Sequence, residues 1–327
     1  MRKIILYSLL FILIHGANAC SFKFVPFAAD WGHSFFLNSD PFFQDGNNIG
    51  LLYYQRSFQR SFTVYNANVP TTYNTRENIS TQSKFKNLYS SGKMKFDISI
   101  STTDIRFEGI SDDGINPMHS WTKNEVTFTG KVLLMKKQKH KRISYLFFDF
   151  GIQTALFSSN GIDNNIGWMD LYMYQINPRQ MPTDKTNNLS LGLSSMIDFN
   201  KFQIYSTGTV CNYIQPYNGF GYGSEMNLST MISYKAVNKD LTKIQINGGF
   251  YFEHGESDQF YQSGLCLIYL PCGRAEGNDL FLSSGITLQY GKISCFAKYY
   301  QPIWQDSFSE HQLFNQSILV TGASFSF

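Results

Sequence analysis

The sequence predicts an all-β chain closed into a transmembrane antiparallel up-and-down β-barrel of about 12 strands, with 14 as the alternative count. Three observations carry that expectation. From residue 92 onward apolar residues recur at every second position, which gathers them on one face of a strand. Long and short connections alternate between those segments, the asymmetry of a barrel with tight turns at one rim and loops at the other. The chain also finishes on an aromatic-rich segment, Leu319 to Phe327.

Composition narrows the alternatives. The 327 residues are 43% hydrophobic, 17% aromatic and 16% charged, whereas an ordinary soluble domain carries about 25% charge. Many Phe and Tyr with few charges exclude a disordered chain. A formal net charge of +3 gives no reason to expect nucleic acid.

Residues 1–19 read as a secretory signal: Arg2 and Lys3, an apolar stretch from Ile4 to Ile14, and the small-residue cleavage site Ala17-Asn18-Ala19. The stretch is too short for a hydrocarbon layer of about 30 Å, and no later apolar run is long enough for a membrane helix. Residues 20–48 form an aromatic-rich leader holding Phe22, Phe24, Phe27, Trp31, Phe35 and Phe36. Such rings avoid water, so the leader is expected to tuck into the lumen as a plug, with packing along the membrane surface or a partner interface as the alternatives.

The barrel then occupies 49–327. Strands are expected at 49–57, 92–101, 103–110, 122–135, 142–152, 187–198, 202–213, 223–235, 241–254, 279–290, 292–301 and 313–327. In 93–101, Met94, Phe96, Ile98 and Ile100 oppose Lys93, Lys95, Asp97 and Ser99. Ile244, Ile246, Phe250 and Phe252 oppose Lys243, Gln245, Asn247 and Glu253, and Leu280, Leu282, Ile286 and Leu288 oppose Phe281, Ser283, Thr287 and Gln289. On these assignments the connections at 58–91, 111–121, 153–186, 214–222, 255–278 and 302–312 are long, the rest are short, and all nine prolines fall outside strands. Extra strands near 168–174 and 265–270 would raise the count to 14. Cys266 and Cys272, close in sequence around Pro271, are the candidate disulfide of an oxidising compartment.

A barrel in lipid turns its apolar face outward and its polar face into the lumen. Lys95, Asp97, Arg106, Glu108, Lys123, Glu125, Lys131, Asp149, Glu225, Lys243 and Glu253 are thereby the expected lumen-facing residues. Their mixed signs argue against a pore selective for one ion charge. The expected function is a channel or transporter-like barrel of the bacterial outer membrane that passes a small solute by diffusion. A surface receptor or adhesin is the alternative, and an outer-membrane enzyme the remote one. No cofactor is implied. For an enzyme, the candidate cluster is Glu253 to Asp258, with His254 as base.

The end of the chain, with Gly322, Phe325 and the terminal Phe327, resembles the C-terminal strand of bacterial outer-membrane barrels. That resemblance implies outer-membrane lipid and the barrel-assembly machinery as partners. A wider resemblance covers Gly248 to His254, Gln301 to Gln305 and the terminal strand. These segments are similar to those of putative outer-membrane transporters that include the barrels of phenol meta-pathway gene clusters. What this implies is fold and location; no binding residue is carried over.

Overall fold

The computed structural model describes residues 48–66, 69–111, 114–156, 187–213, 220–221, 224–239, 241–255, 259–260, 277–307 and 314–326. The signal segment, the leader with its six plug aromatics, Cys266, Cys272 and Phe327 lie outside the described residues, as do the extra strand candidates at 168–174 and 265–270.

Twelve antiparallel strands close on themselves. They are β1 (Asn48–Asn66), β2 (Val69–Ser90), β3 (Met94–Ser111), β4 (Gly114–Lys139), β5 (Arg142–Ala155) and β6 (Asn187–Phe199). The second half holds β7 (Phe202–Tyr213), β8 (Glu225–Asn238), β9 (Thr242–Gly255), β10 (Gly277–Tyr290), β11 (Ile293–Ser307) and β12 (Phe314–Ser326). Each strand pairs with its neighbours in the chain, and β1 pairs with β12 from Asn48↔Ser326 to Gln59↔Phe314. Closure pairs every strand on both sides within the barrel body, the condition for a sheet to stand in lipid.

The count agrees with the sequence, but two assignments behind it are corrected. Residues 69–90, expected within a connection, form β2 and pair with β1 from Asn66↔Val69 to Ile49↔Lys86. Residues 94–101 and 103–110, expected in two strands, belong to the single strand β3, and 92–93 to the turn before it. One strand was missed where another was divided. Three prolines also sit in strands. Pro117 and Pro302 stand at bulges, and Pro70 lies where β2 has β1 as its sole partner, so its missing N–H breaks no ladder.

The rim bearing both barrel termini has tight turns at 91–93, 140–141, 200–201, 239–241 and 291–292. The basic turn around Lys139, His140 and Lys141 is exposed there, and His140 takes a left-handed φ of 50°. At the opposite rim the connections fall at 67–68, 112–113, 156–186, 214–224, 256–276 and 308–313. The first two are as tight as any turn below, so strict alternation of loop length fails on this side. Strands β1 to β4 run for 19, 22, 18 and 26 residues, against about 9–11 needed to cross a bilayer. Residues 60–66 of β1 pair with β2 alone, and 114–120 of β4 with β3 alone, so this wall stands tall above the barrel. A two-residue ribbon, Phe220–Gly221 with Gln259–Phe260, joins two of the longer connections.

The pleat sorts residues as a lipid-facing barrel requires. Ile100, Leu191, Ile232, Ile246, Phe250, Leu282, Ile286 and Leu288 are exposed, while Ser99, Thr127, Ser194, Thr207, Ser233, Asn247 and Thr287 are buried. Phe202 and Tyr234, partners across β7 and β8, pack ring to ring at 5.2 Å near the tight-turn rim, as interfacial aromatics do. One strand departs from the pattern. The outward row of β2 reads Ser80, Gln82, Lys84, Lys86 and Leu88, with both lysines exposed.

Gly322 has a packing role on β12. The Phe296 ring from β11 occupies the space that a Cβ at Gly322 would need. Gly322→Val is therefore expected to displace that ring and cost about 1–3 kcal/mol of overpacking, read as a lower urea midpoint for the folded, heat-modifiable form in vesicles.

Candidate functional site

The interior is the candidate site, and its wall has three sectors. Leu52, Tyr54, Tyr251, Phe281, Phe296, Tyr300, Ile318 and Val320 form a packed apolar cluster across β9 to β12 and β1. Tyr145, Phe147, Met196 and Tyr205 form a second across β5 to β7, with Leu133 and Ile143 against it. Between them, β2 to β4 present hydroxyls that bond in pairs, Thr81 to Thr103 at 3.0 Å and Ser83 to Ser101 at 2.7 Å. Farther round, Asn247 Nδ2 donates to Thr287 Oγ1 at 2.7 Å.

Charged side chains cross this interior. Arg56 is 1% exposed, and its guanidinium donates to both carboxylate oxygens of Glu253, at 3.0 and 2.7 Å. In the ring of strands β12, β11 and β10 stand between β1 and β9, so this pair braces two separated walls. The Tyr251 hydroxyl lies 2.7 Å from Glu253 Oε1 and 3.0 Å from Asn227 Oδ1, and the guanidinium carbon sits 5.6 Å from the centre of the Phe281 ring. A bidentate, hydrogen-bonded geometry is what makes a desolvated ion pair tolerable.

A second brace runs from β4 to β7. Lys131 Nζ is 2.9 Å from Asp149 Oδ1 and donates to Ser194 Oγ at 2.9 Å and to the Tyr205 hydroxyl at 3.1 Å. It also lies 5.3 Å from the Phe147 ring centre and 5.4 Å from that of Tyr205, within the range of cation–π attraction. Lys235 pairs with Asp198 at 2.7 Å, and Lys298 Nζ on β11 reaches to 3.7 Å from Met231 Sδ on β8. Opposite charges thus meet in pairs along the wall.

Of the residues named from sequence, Lys95, Glu125, Asp149, Glu225 and Glu253 are buried, and Asp97, Lys131 and Lys243 half-buried, all on the inward rows. The structure brings Lys131 to Asp149 and Lys95 to Asp97, the latter at 3.6 Å. Arg106 is a correction. It is exposed and continues the outward even-numbered row of Ile98 and Ile100, because β3 is one unbroken strand and parity cannot change at residue 102. The side chains of Glu108 and Lys123 lie outside the described residues. Phe325 is 42% exposed beside the tight-turn rim, between Ile49 and Ile293.

Sequence reasoning missed Arg56, Lys235, Asp279 and Lys298. In Leu51 to Arg56 both faces carry apolar residues, so period two points to neither. Lys298 sits between Phe296 and Tyr300, whose aromatic character suggests lipid, yet all three are buried inside. The pairing that could be read is local: Lys131 and Asp149 are register partners across one turn, whereas Arg56 and Glu253 meet only through barrel closure.

The candidate enzymatic cluster does not assemble among the described residues. Glu253 and His254 are successive on β9 and face opposite sides. Glu253 is held by Arg56, whereas His254 Nδ1 lies 2.8 Å from Asn278 Oδ1 on the outward row. Residues 256–258 lie outside the described residues.

No family model matches the chain, and no curated protein matches its sequence. Solved structures do resemble its fold. An outer membrane channel from Pseudomonas putida F1 superposes with a TM-score of 0.53 at 12% identity, over 86% of this chain and 96% of that one. The β domain of the Bordetella autotransporter BrkA gives 0.45 at 10%, over 86% and 100%, and LpxR from Salmonella typhimurium gives 0.43 at 7%, over 85% and 100%. The first likeness agrees, at the level of fold, with the outer-membrane resemblance of the 248–254, 301–305 and terminal segments. The chain has the architecture of an outer-membrane β-barrel.

Proposed function

We propose that the protein is a restricted channel of the bacterial outer membrane, passing small solutes by diffusion. The observation that carries this reading is an inner wall whose charges are already neutralised in pairs, Arg56 with Glu253, Lys131 with Asp149 and Lys235 with Asp198. The hydroxyls and amides of β2 to β4, β9 and β10 stand between them. Such a wall offers hydrogen bonds to small polar molecules and no ring of one sign to select ions. On this reading the two braces, Arg56 with Glu253 and Lys131 with Asp149, Ser194 and Tyr205, are the constriction. On this reading the aromatic leader restricts the same path, outer-membrane lipid surrounds the barrel, and the barrel-assembly machinery inserts it.

The test is single-channel recording of the mature chain in a planar bilayer, with and without residues 20–48. Small steps with weak preference between cations and anions are expected, and they grow when the leader is removed. Folded barrels that stay silent in both forms would favour the surface-receptor reading. The tall wall of β1 to β4, with polar Thr102, Asp104, Thr122 and Asn124 on its outward rows, is the feature that supports that second reading.

A further inference from the structure

Every tight turn carries a lysine. Lys93, Lys201, Lys239 and Lys292 lie within the turns at 91–93, 200–201, 239–241 and 291–292, and Lys139 and Lys141 flank His140 at the turn between β4 and β5. All of them are exposed. The neighbouring hairpins fix where the stems start. Leu133 N–H donates to the Lys93 carbonyl at 2.8 Å, Lys235 N–H to that of Lys201 at 2.9 Å, and Ser326 N–H to that of Lys292 at 2.9 Å. None of these ammonium groups makes an ion pair or hydrogen bond among the described residues. The carboxylates nearby are already engaged, Asp97 by Lys95 and Asp198 by Lys235, and Asp240 lies outside the described residues.

An exposed apolar side chain accompanies the cation at each turn. Lys93 is followed by Met94, Lys201 by Phe202 and Lys292 by Ile293, while Lys239 stands two residues before Leu241. On β4 the outward row runs from Met135 through Lys137 to Lys139, and opposite Lys139 the guanidinium carbon of Arg142 lies 5.7 Å from the Phe199 ring centre. An apolar anchor beside an ammonium keeps the stem on hydrocarbon and the charge among headgroups. The distribution narrows the anion. A soluble polyanion could meet the lysines but would leave their apolar partners in water. A second copy of the chain would set lysine against lysine. A lipid leaflet satisfies both members of each pair, and it surrounds a barrel on every side, as these pairs do.

We propose that the tight-turn rim binds anionic phospholipid of the phosphatidylglycerol type in the leaflet it faces, each turn holding its own phosphate headgroup. The inference rests on the outer-membrane placement proposed above, and it is independent of whether the lumen conducts.

The full mature chain and a variant combining Lys93→Gln, Lys139→Gln, Lys201→Gln, Lys239→Gln and Lys292→Gln would be folded into phosphatidylcholine vesicles with or without phosphatidylglycerol, then extracted for native mass spectrometry. Wild type is expected to retain at least about tenfold more phosphatidylglycerol than the variant, since one lysine near an anionic surface carries a preference of about fivefold. The difference should shrink at about 1 M salt, where charges are screened within about 3 Å. Single Lys→Gln changes should each remove part of the retention, and a chain with Arg at all five positions should retain the lipid as wild type does. Equal retention by wild type and the combined variant overturns the inference; co-sedimentation of wild type but not the variant with peptidoglycan sacculi would then identify the cell wall as the partner. Loss of all retention from one single change also overturns it, because that marks one discrete site and not a rim. A folded, heat-modifiable barrel without preference for phosphatidylglycerol refutes this inference alone. A chain that folds in neither vesicle refutes the membrane placement as well.

Discussion

Glu253→Ala is expected to destabilise the folded barrel by about 3–5 kcal/mol, the cost of leaving a buried charge without its partner. Arg56 is wholly buried and spends two donors on that one carboxylate, so truncating Glu253 strands a guanidinium that cannot deprotonate. The effect would be read as the urea midpoint of the heat-modifiable form in vesicles. Arg56→Met combined with Glu253→Leu should recover most of the loss, because replacing both ions by apolar groups of similar volume is often neutral. The double variant also separates structure from transport. It removes the brace between β1 and β9 without stranding a charge, so conductance should rise if the brace is the constriction. A single variant within about 1 kcal/mol of wild type, a surface-pair value, would mean that the pair is not desolvated.

The strands legible in the sequence were those that meet lipid on one side and polar groups on the other. In β9 and β10 Ile246, Phe250, Leu282 and Ile286 alternate against Asn247, Thr287 and Gln289, and both strands form within a few residues of their expected bounds. Strand β2 was invisible to the same reading because Ser80, Gln82, Lys84 and Lys86 face outward while Thr81 and Ser83 face inward. A strand polar on both faces has no hydrophobic period. Strand β3 was divided because the apolar positions in the sequence shift from even, Ile98 and Ile100, to odd, Ile105 and Phe107. The chain keeps its register with β2 through that point; what changes is the surroundings, since Thr102, Asp104 and Arg106 carry the outward row beyond the lipid belt.

The interior was legible in kind and not in detail. Parity alone placed Lys95, Glu125, Asp149, Glu225 and Glu253 inward, because inward and outward simply alternate. The cross-lumen partners depend on which strands closure sets opposite one another, and nothing local encodes that β1 faces β9. Aromatics were the other obstacle. Tyr54, Tyr145, Tyr205, Tyr251 and Tyr300 are buried in the lumen wall, although a lipid-facing barrel invites one to assign every ring to the outside. Their hydroxyls explain the placement, since Tyr205 and Tyr251 each sit within hydrogen-bond reach of a charged brace, and a buried phenol seeks a partner.

Ile286→Arg is expected to lower the stability of the membrane-inserted barrel by about 2–4 kcal/mol, the cost of a cation on the lipid face near the bilayer midplane. Ile286 is 43% exposed and stands on the outward row of β10 between Ser284 and Leu288, four residues inside the strand from Tyr290 at the tight-turn rim. The neighbouring inward position is no free site for comparison. A polar lumen alone would make Thr287→Arg harmless, but Thr287 is 1% exposed and bonded to Asn247, so an arginine there would force the packed wall apart. Thr287→Ser is the fitting inward control, keeping the hydroxyl and staying within about 1 kcal/mol. The contrast with β2 gives the measurement its force. Lys86 already lies in the belt, beside an outward row that leads to Arg76, whereas the neighbours of Ile286 offer no polar path to either surface. Folding titrations in neutral vesicles should therefore penalise Ile286→Arg strongly while Lys86→Gln gains stability. Similar small effects at both positions would mean that the outward rows do not face hydrocarbon, and the assignment of a lipid belt to this barrel would fall.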